Sequence, residues 1–100
     1  VRDRQLMPLT EGLAKLSLYQ AQWMEQAAPL FKKKGRIQKG ADADIVIFDP
    51  DTIAANATYG DPYQKPTGIS HVLVGGRHVV QNSTRLEGMY PGRKLLGRSN

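Results

Sequence analysis

Cysteine is absent from this chain, which excludes a disulfide scaffold, a thiolate zinc site and a cysteine nucleophile. A cysteine-free chain suits a reducing cytoplasm, the compartment expected for it. No run of 18 apolar residues occurs, so no membrane span is predicted, and the start carries no signal-peptide pattern. Histidine occurs only twice, as His71 and His78, too few for a histidine-rich metal cluster. G-x-S-x-G, P-loop, G-x-G-x-x-G and H-E-x-x-H patterns are all missing. What is present is ordinary globular material: an apolar fraction of 40% over 100 residues, enough for one small core and against wholesale disorder. The first residue is Val1 rather than Met, which suggests a piece of something longer.

The net charge of +5 is unevenly spread. Residues 1–40 hold 8 basic and 3 acidic side chains, whereas residues 41–100 hold 6 of each. Lys32, Lys33, Lys34, Arg36 and Lys39 form a basic cluster. Such a cluster can contact phosphates. No aromatic platform interleaves it, so a solvated connector between a helix and a strand is the reading expected here.

Leu9, Leu13, Leu16, Met24 and Ala27 recur at helical spacing and predict an apolar face. Pro8 is tolerated in a first turn, where Glu11 also suits the helix dipole. Ser17 followed by Gln20 has capping-box form. The pattern therefore predicts one helix over 9–26 or two over 9–16 and 18–26, closed by Ala28-Pro29. Ile45-Val46-Ile47-Phe48 is a strand apolar on both faces and is expected to be covered on both. Residues 49–68 read as a loop with a turn near Ile53. Val72-Leu73-Val74, Gly75-Gly76 and Arg77-His78-Val79-Val80 predict a hairpin, with both glycines free to take positive φ. The tail beyond Gln81 reads as coil. Three strands at most are expected, a thin sheet with open edges. The fold class is α+β, with a helical segment over 1–34 and a β part over 35–100 in one compact unit.

In that hairpin register residue 71 faces 80 and 73 faces 78. His71 and His78 then lie diagonally on one face, about 7 Å apart. A shared metal needs further ligands, and no carboxylate lies on that face, so half-exposed surface histidines are expected. Asp42 and Asp44 project to one side of an extended chain and are expected to bond free amides in the turn before the strand. Trp23, Tyr59, Tyr63 and Tyr90 read as packing groups. No catalytic residue and no metal ligand is assigned; Asp42, Asp44, Gly75 and Gly76 are structural candidates.

The string Gly35-Arg36-Ile37 followed by Gly40-Ala41-Asp42-Ala43-Asp44-Ile45-Val46-Ile47-Phe48-Asp49-Pro50 resembles the C-terminal signature of the amidohydrolase superfamily. Gly68-Ile69-Ser70-His71-Val72-Leu73-Val74-Gly75-Gly76 resembles its following hairpin, with Gly75 where asparagine is common. Three finer stretches resemble the N-acyl-D-amino-acid deacylases (D-aminoacylases): Val1-Arg2-Asp3 with Leu9-Thr10-Glu11; Asp49-Pro50-Asp51-Thr52-Ile53 with Ala57-Thr58-Tyr59 and Asp61-Pro62; and Pro91-Gly92-Arg93. Gln20 stands where that family usually has proline. The resemblance implies a helix from the end of a metal-binding barrel and the C-terminal part of a composite β-sandwich. It also implies that zinc or a similar divalent ion belongs to the parent enzyme, held upstream of Val1, with no cofactor in this chain. The partners implied are the barrel and the other sandwich strands, with self-association through open strand edges and no membrane. The competing expectation is a stand-alone interaction or nucleic-acid-binding module built on the basic cluster 32–39.

Overall fold

The computed structural model describes residues 1–96, and the coil expected for the tail reaches residues 97–100, which lie outside the described residues. Two helices open the chain, α1 over Leu9–Leu16 and α2 over Leu18–Met24, followed by a 3-10 helix over Pro29–Lys33. The break at Ser17 matches the two-helix alternative, although α2 ends two residues early. The capping box does not form: the Ser17 hydroxyl instead donates to the Leu13 carbonyl at 2.6 Å, closing the end of α1. Pro8 is the N-cap of α1 without a side-chain cap, its carbonyl taking the Gly12 amide at 3.0 Å.

Four strands follow: β1 Ile45–Phe48, β2 Ile69–Val74, β3 Arg77–Gln81 and β4 Thr84–Arg85. They form one antiparallel sheet in the order β1-β2-β3-β4. The limit of three strands is thus corrected. β4 was hidden in a tail read as coil because it is two polar residues long and depends on a turn at Asn82 and Ser83, both at positive φ (51° and 64°). Asn adopts that conformation readily and Ser does not, so no glycine marks the turn.

The β2–β3 turn falls at Gly75 (φ 58°) and Gly76 (φ 79°), as expected for a twist-matched hairpin. Leu73 faces His78, but Val80 faces Val72 rather than His71, because a bulge at Val79 shifts the register by one. A second bulge leaves Ser70 extra between the Ile47–His71 and Phe48–Ile69 pairs, where its hydroxyl donates to the Ile47 carbonyl at 3.1 Å. Between β1 and β2 the loop closes on itself through an Ala54–Thr67 bridge, after a turn in which the Asp49 carbonyl takes the Ile53 amide at 2.9 Å.

The expected apolar helix face is not a core. Leu9, Leu13, Leu16 and Met24 are exposed, Leu16 at 74%, and the side turned inward carries Gly12, Ala21 and Ala28 instead. Small residues let α1, α2 and the 3-10 helix approach closely, but they bury little area. Likewise β1 is not covered on either face: Val46 and Ile47, which point to opposite sides, are 51% and 50% exposed. Trp23, Tyr59, Tyr63 and Tyr90 are exposed rather than packed. The whole chain leaves 8331 Å² accessible, where a folded monomer of its mass exposes about 5,700 Å². The periodicity marks surfaces made to be buried, and this stretch of chain does not bury them.

Gly35 shows how tightly the small-residue side is built. At φ +70°, a Cβ there would meet the Ser17 carbonyl oxygen at 2.6 Å and the Ala21 Cβ at 3.0 Å. Gly40, at φ +85°, has open space around it. Gly40→Ala should therefore cost only the backbone strain, about 1 kcal/mol. Gly35→Ala adds a clash with backbone and should cost more than about 2 kcal/mol. Denaturant midpoints of the two variants check this; equal losses would contradict the close approach.

Candidate functional site

The polar side chains with the densest contacts gather where the helical segment meets the hairpin. The 3-10 helix delivers Lys34 at its end, and the extended stretch before β1 brings Asp42 and Asp44 to the same side of the chain. The Lys34 Nζ lies 2.6 Å from Asp44 Oδ2 and 3.0 Å from Asp42 Oδ2. The other Asp44 oxygen accepts the Gly75 amide at 2.8 Å, and the Gly76 amide donates to the Ala43 carbonyl at 3.0 Å. Asp44 therefore does bond a turn amide, but in the hairpin turn 31 residues ahead rather than in the turn before its own strand. Sequence spacing alone could not show this, because the contact crosses from β1 to the far end of β2.

Two of the five residues in the basic cluster are consumed by structure. Lys34 holds the two aspartates, and Arg36 donates from Nε to the Lys34 carbonyl at 2.9 Å and from its terminal nitrogen to Glu25 at 3.4 Å. Among the described residues, Lys32, Lys33 and Lys39 make no ion pair. The cluster is thus split between an internal latch and a solvated remainder.

The latch is partly desolvated, with Lys34 and Asp44 side chains 24% and 32% exposed. Its hydrogen bond to Lys34 holds the Asp44 carboxyl below its usual value of 3.8, against desolvation, with help from the Gly75 amide and the charges of Lys34 and Arg93. The same bond raises Lys34 above 10.5, against desolvation, with Asp42 adding to it. A recess of about 180 Å³ beside the latch is lined by Lys33, Lys34, Asp42, Asp44, Arg93 and Lys94, among others.

The histidines meet on one face of the hairpin. Their ring centroids are 5.7 Å apart at 66°, an edge-on contact, and His71 Nδ1 is buried with no hydrogen-bond partner. Among the described residues no group of three or more histidine, aspartate or glutamate side chains converges to hold a metal ion. Two imidazoles over Ile47 and Leu73 do not supply the three-ligand, open-position donor set of a hydrolytic zinc. The residues present do not fit such a centre. Among the described residues, no helix is long and apolar enough to cross a membrane.

Comparison with known proteins decides the family: residues 1–80 match the amidohydrolase family. The chain belongs to that family. It is similar to N-acyl-D-glutamate deacylase of Alcaligenes xylosoxydans xylosoxydans, 38% identical over 76 residues covering 76% of this chain and 14% of the relative. It is also similar to D-aminoacylase of that organism, 35% identical over 94 residues covering 94% of this chain and 18% of the relative. Among solved structures, the crystal structure of D-aminoacylase matches with a TM-score of 0.78 at 33% identity, covering 94% of this chain and 19% of that one. A D-aminoacylase structure concerned with the functional role of its binuclear metal centre matches with a TM-score of 0.80 at 34% identity. The α+β fold and the D-aminoacylase likeness read from the sequence are thus shown for this amidohydrolase chain, which spans less than a fifth of the length of these relatives. The comparisons give no support to a nucleic-acid-binding module.

The latch sets a pH dependence in two directions. Asp44, lowered when folded, stabilises fully above pH 3.8, and that contribution drains as pH falls through its folded value. Lys34, raised when folded, stabilises fully below pH 10.5, and that contribution is lost as pH rises through its folded value. Asp44→Ala should cost about 2 kcal/mol at neutral pH and flatten the acid limb of the stability profile. Urea unfolding from pH 2.5 to 6 checks this; parallel profiles for the two proteins would contradict it.

Proposed function

We propose that this chain is the C-terminal structural portion of a metal-dependent amidohydrolase of the N-acyl-D-amino-acid deacylase type, and that it carries none of the catalytic residues. Residues 1–34 would be helix from the end of the barrel, and residues 35–100 part of the β-sandwich, with Asp42, Asp44, Gly75 and Gly76 holding the two together. The observation that carries this reading is a match over 94% of the chain that spans only 19% of a solved D-aminoacylase. The bare apolar faces of α1 and β1 support it, since each is where further chain would pack.

The parent would hydrolyse a non-peptide C–N amide bond with a divalent ion bound by residues outside this chain. Such an ion activates water for attack on an amide carbonyl. The chain's own part would be to complete the sandwich and close the barrel end, and its partners would be those two bodies. Its open strand edge gives it a site for strand pairing. A cytoplasmic enzyme fits the absence of cysteine.

Two assays test this. The 100-residue chain should hydrolyse no N-acetyl-D-amino acid with or without zinc, whereas a D-aminoacylase whose corresponding segment is replaced by this chain should fold and hydrolyse its substrate. Turnover by the chain alone that is abolished in His71→Ala or His78→Ala would overturn the reading. A replacement that leaves the host unfolded would overturn it as well.

A further inference from the structure

Between β1 and β2 the chain makes an excursion whose order comes from itself. At its neck Ala54 and Thr67 are bridged by two backbone bonds of 3.1 and 3.0 Å. Inside the neck the Asn56 side-chain amide donates to the Lys65 carbonyl at 2.9 Å and to the Thr67 hydroxyl at 3.4 Å. The tip is closed by Thr58 and Asp61. The Thr58 amide reaches the Asp61 carbonyl, and the Asp61 amide reaches the Thr58 hydroxyl, both at 3.0 Å. Among the described residues, every hydrogen bond of residues 55–66 stays within the excursion. Residues 57–67 are all exposed, so the body of the chain does not prop this loop up.

On that frame stand two tyrosines in open solvent, Tyr59 at 110% exposure and Tyr63 at 93%. Tyrosine offers a large ring with few torsions to freeze, and a loop ordered beforehand loses little further freedom on binding. Aromatic side chains held out on a preorganised frame are the build of an interface anchor. A loop that only connects β1 to β2 needs neither the internal clamp nor the two rings.

The chain's own path places the partner. Arg2 donates to the carbonyls of Pro50 and Asp51. A recess of about 480 Å³ lies between Val1, Arg2 and Leu9 on one side and Phe48, Pro50 and Ile53 on the other. The first residues therefore run along the outgoing limb of the excursion, and chain preceding residue 1 in the parent emerges at its root. The match leaves most of the solved D-aminoacylase outside it, so the body available there is large. We propose that the 54–67 excursion is a docking arm, and that Tyr59 and Tyr63 pack on the barrel body preceding residue 1. This rests on the reading above, in which that body is the upstream part of the same amidohydrolase. The surface that receives the arm is apolar and carries a hydrogen-bond partner for each phenol, because a buried tyrosine hydroxyl usually finds one. Both rings are then packing groups whose partner lies outside these 100 residues.

Hydroxyl-radical footprinting tests the arm in the D-aminoacylase that carries this chain in place of its own segment, with the isolated 100-residue chain alongside. Tyr59 and Tyr63 should oxidise more than about fivefold more slowly in the chimera than in the isolated chain. Tyr59→Ala combined with Tyr63→Ala should leave the urea midpoint of the isolated chain unchanged, because both rings stand in solvent there. In the chimera the same pair should speed irreversible heat inactivation more than about fivefold. The footprint on the unmodified chimera decides the matter even if the double variant fails to fold. A folded chimera in which either tyrosine stays as reactive as in the isolated chain overturns the docking and leaves the proposed function standing. Heat inactivation that ignores the double substitution does the same. A host left unfolded by the replacement overturns that function and the docking with it.

Discussion

The contact on which the rest depends is the Asp44 carboxylate, shared between the Lys34 ammonium and the Gly75 amide. The helices pack on one another and the strands on one another, with the joint between them made mainly by loops. Through Lys34 the latch reaches the end of the 3-10 helix, and through Gly75 it reaches the tip of the hairpin. Gly35, next to Lys34, presses on Ser17 and Ala21, so the same few residues tie α2 to the sheet. A second, lighter tie runs from Arg2 to the carbonyls of Pro50 and Asp51, at 3.2 and 2.9 Å. A charged, partly buried bond carries this load because there is so little apolar core: among the described residues only Ala21 and Ala28 are buried apolar side chains, at 5% and 4% exposure.

That economy has a functional sense. A body joined by polar contacts, with apolar faces turned outward on both helix and sheet, suits a portion of a larger amidohydrolase. The unfilled faces match the small share of the relatives' length that this chain covers. Among the described residues its histidine pair does not converge with other donors, in keeping with the structural role proposed for it.

Local features were legible in the sequence where a residue's own conformational preference decides. Gly75-Gly76 marked the turn, Ala28-Pro29 closed the helices, and Ile45–Phe48 announced a strand. Two bulges, at Ser70 and Val79, were not legible, because an extra residue leaves no mark in a short apolar run, and so the pairing of His71 was misplaced. The leucine face was legible as apolar, but periodicity tells which side wants burial, not whether the partner lies within the same 100 residues. Asp44 was expected to bond amides in the turn before its strand, and its partner Gly75 was beyond reach of any local rule. The superfamily string over residues 35–50 was the most informative signal because its Gly35, Asp42 and Asp44 serve contacts of this kind.

If the Asp44 latch is the joint between the two parts, its removal must be felt on both sides at once. Amide hydrogen exchange of the chain at neutral pH, compared with Lys34→Met, measures this directly. The expected result is faster exchange at Gly75 and at Asp42, together with faster exchange at Ala21 in α2 and at Glu25, which caps it, while Leu73 in the sheet interior keeps its protection. Unchanged protection in α2 would show that the helices are held by something other than the latch, and the account would be wrong at its centre.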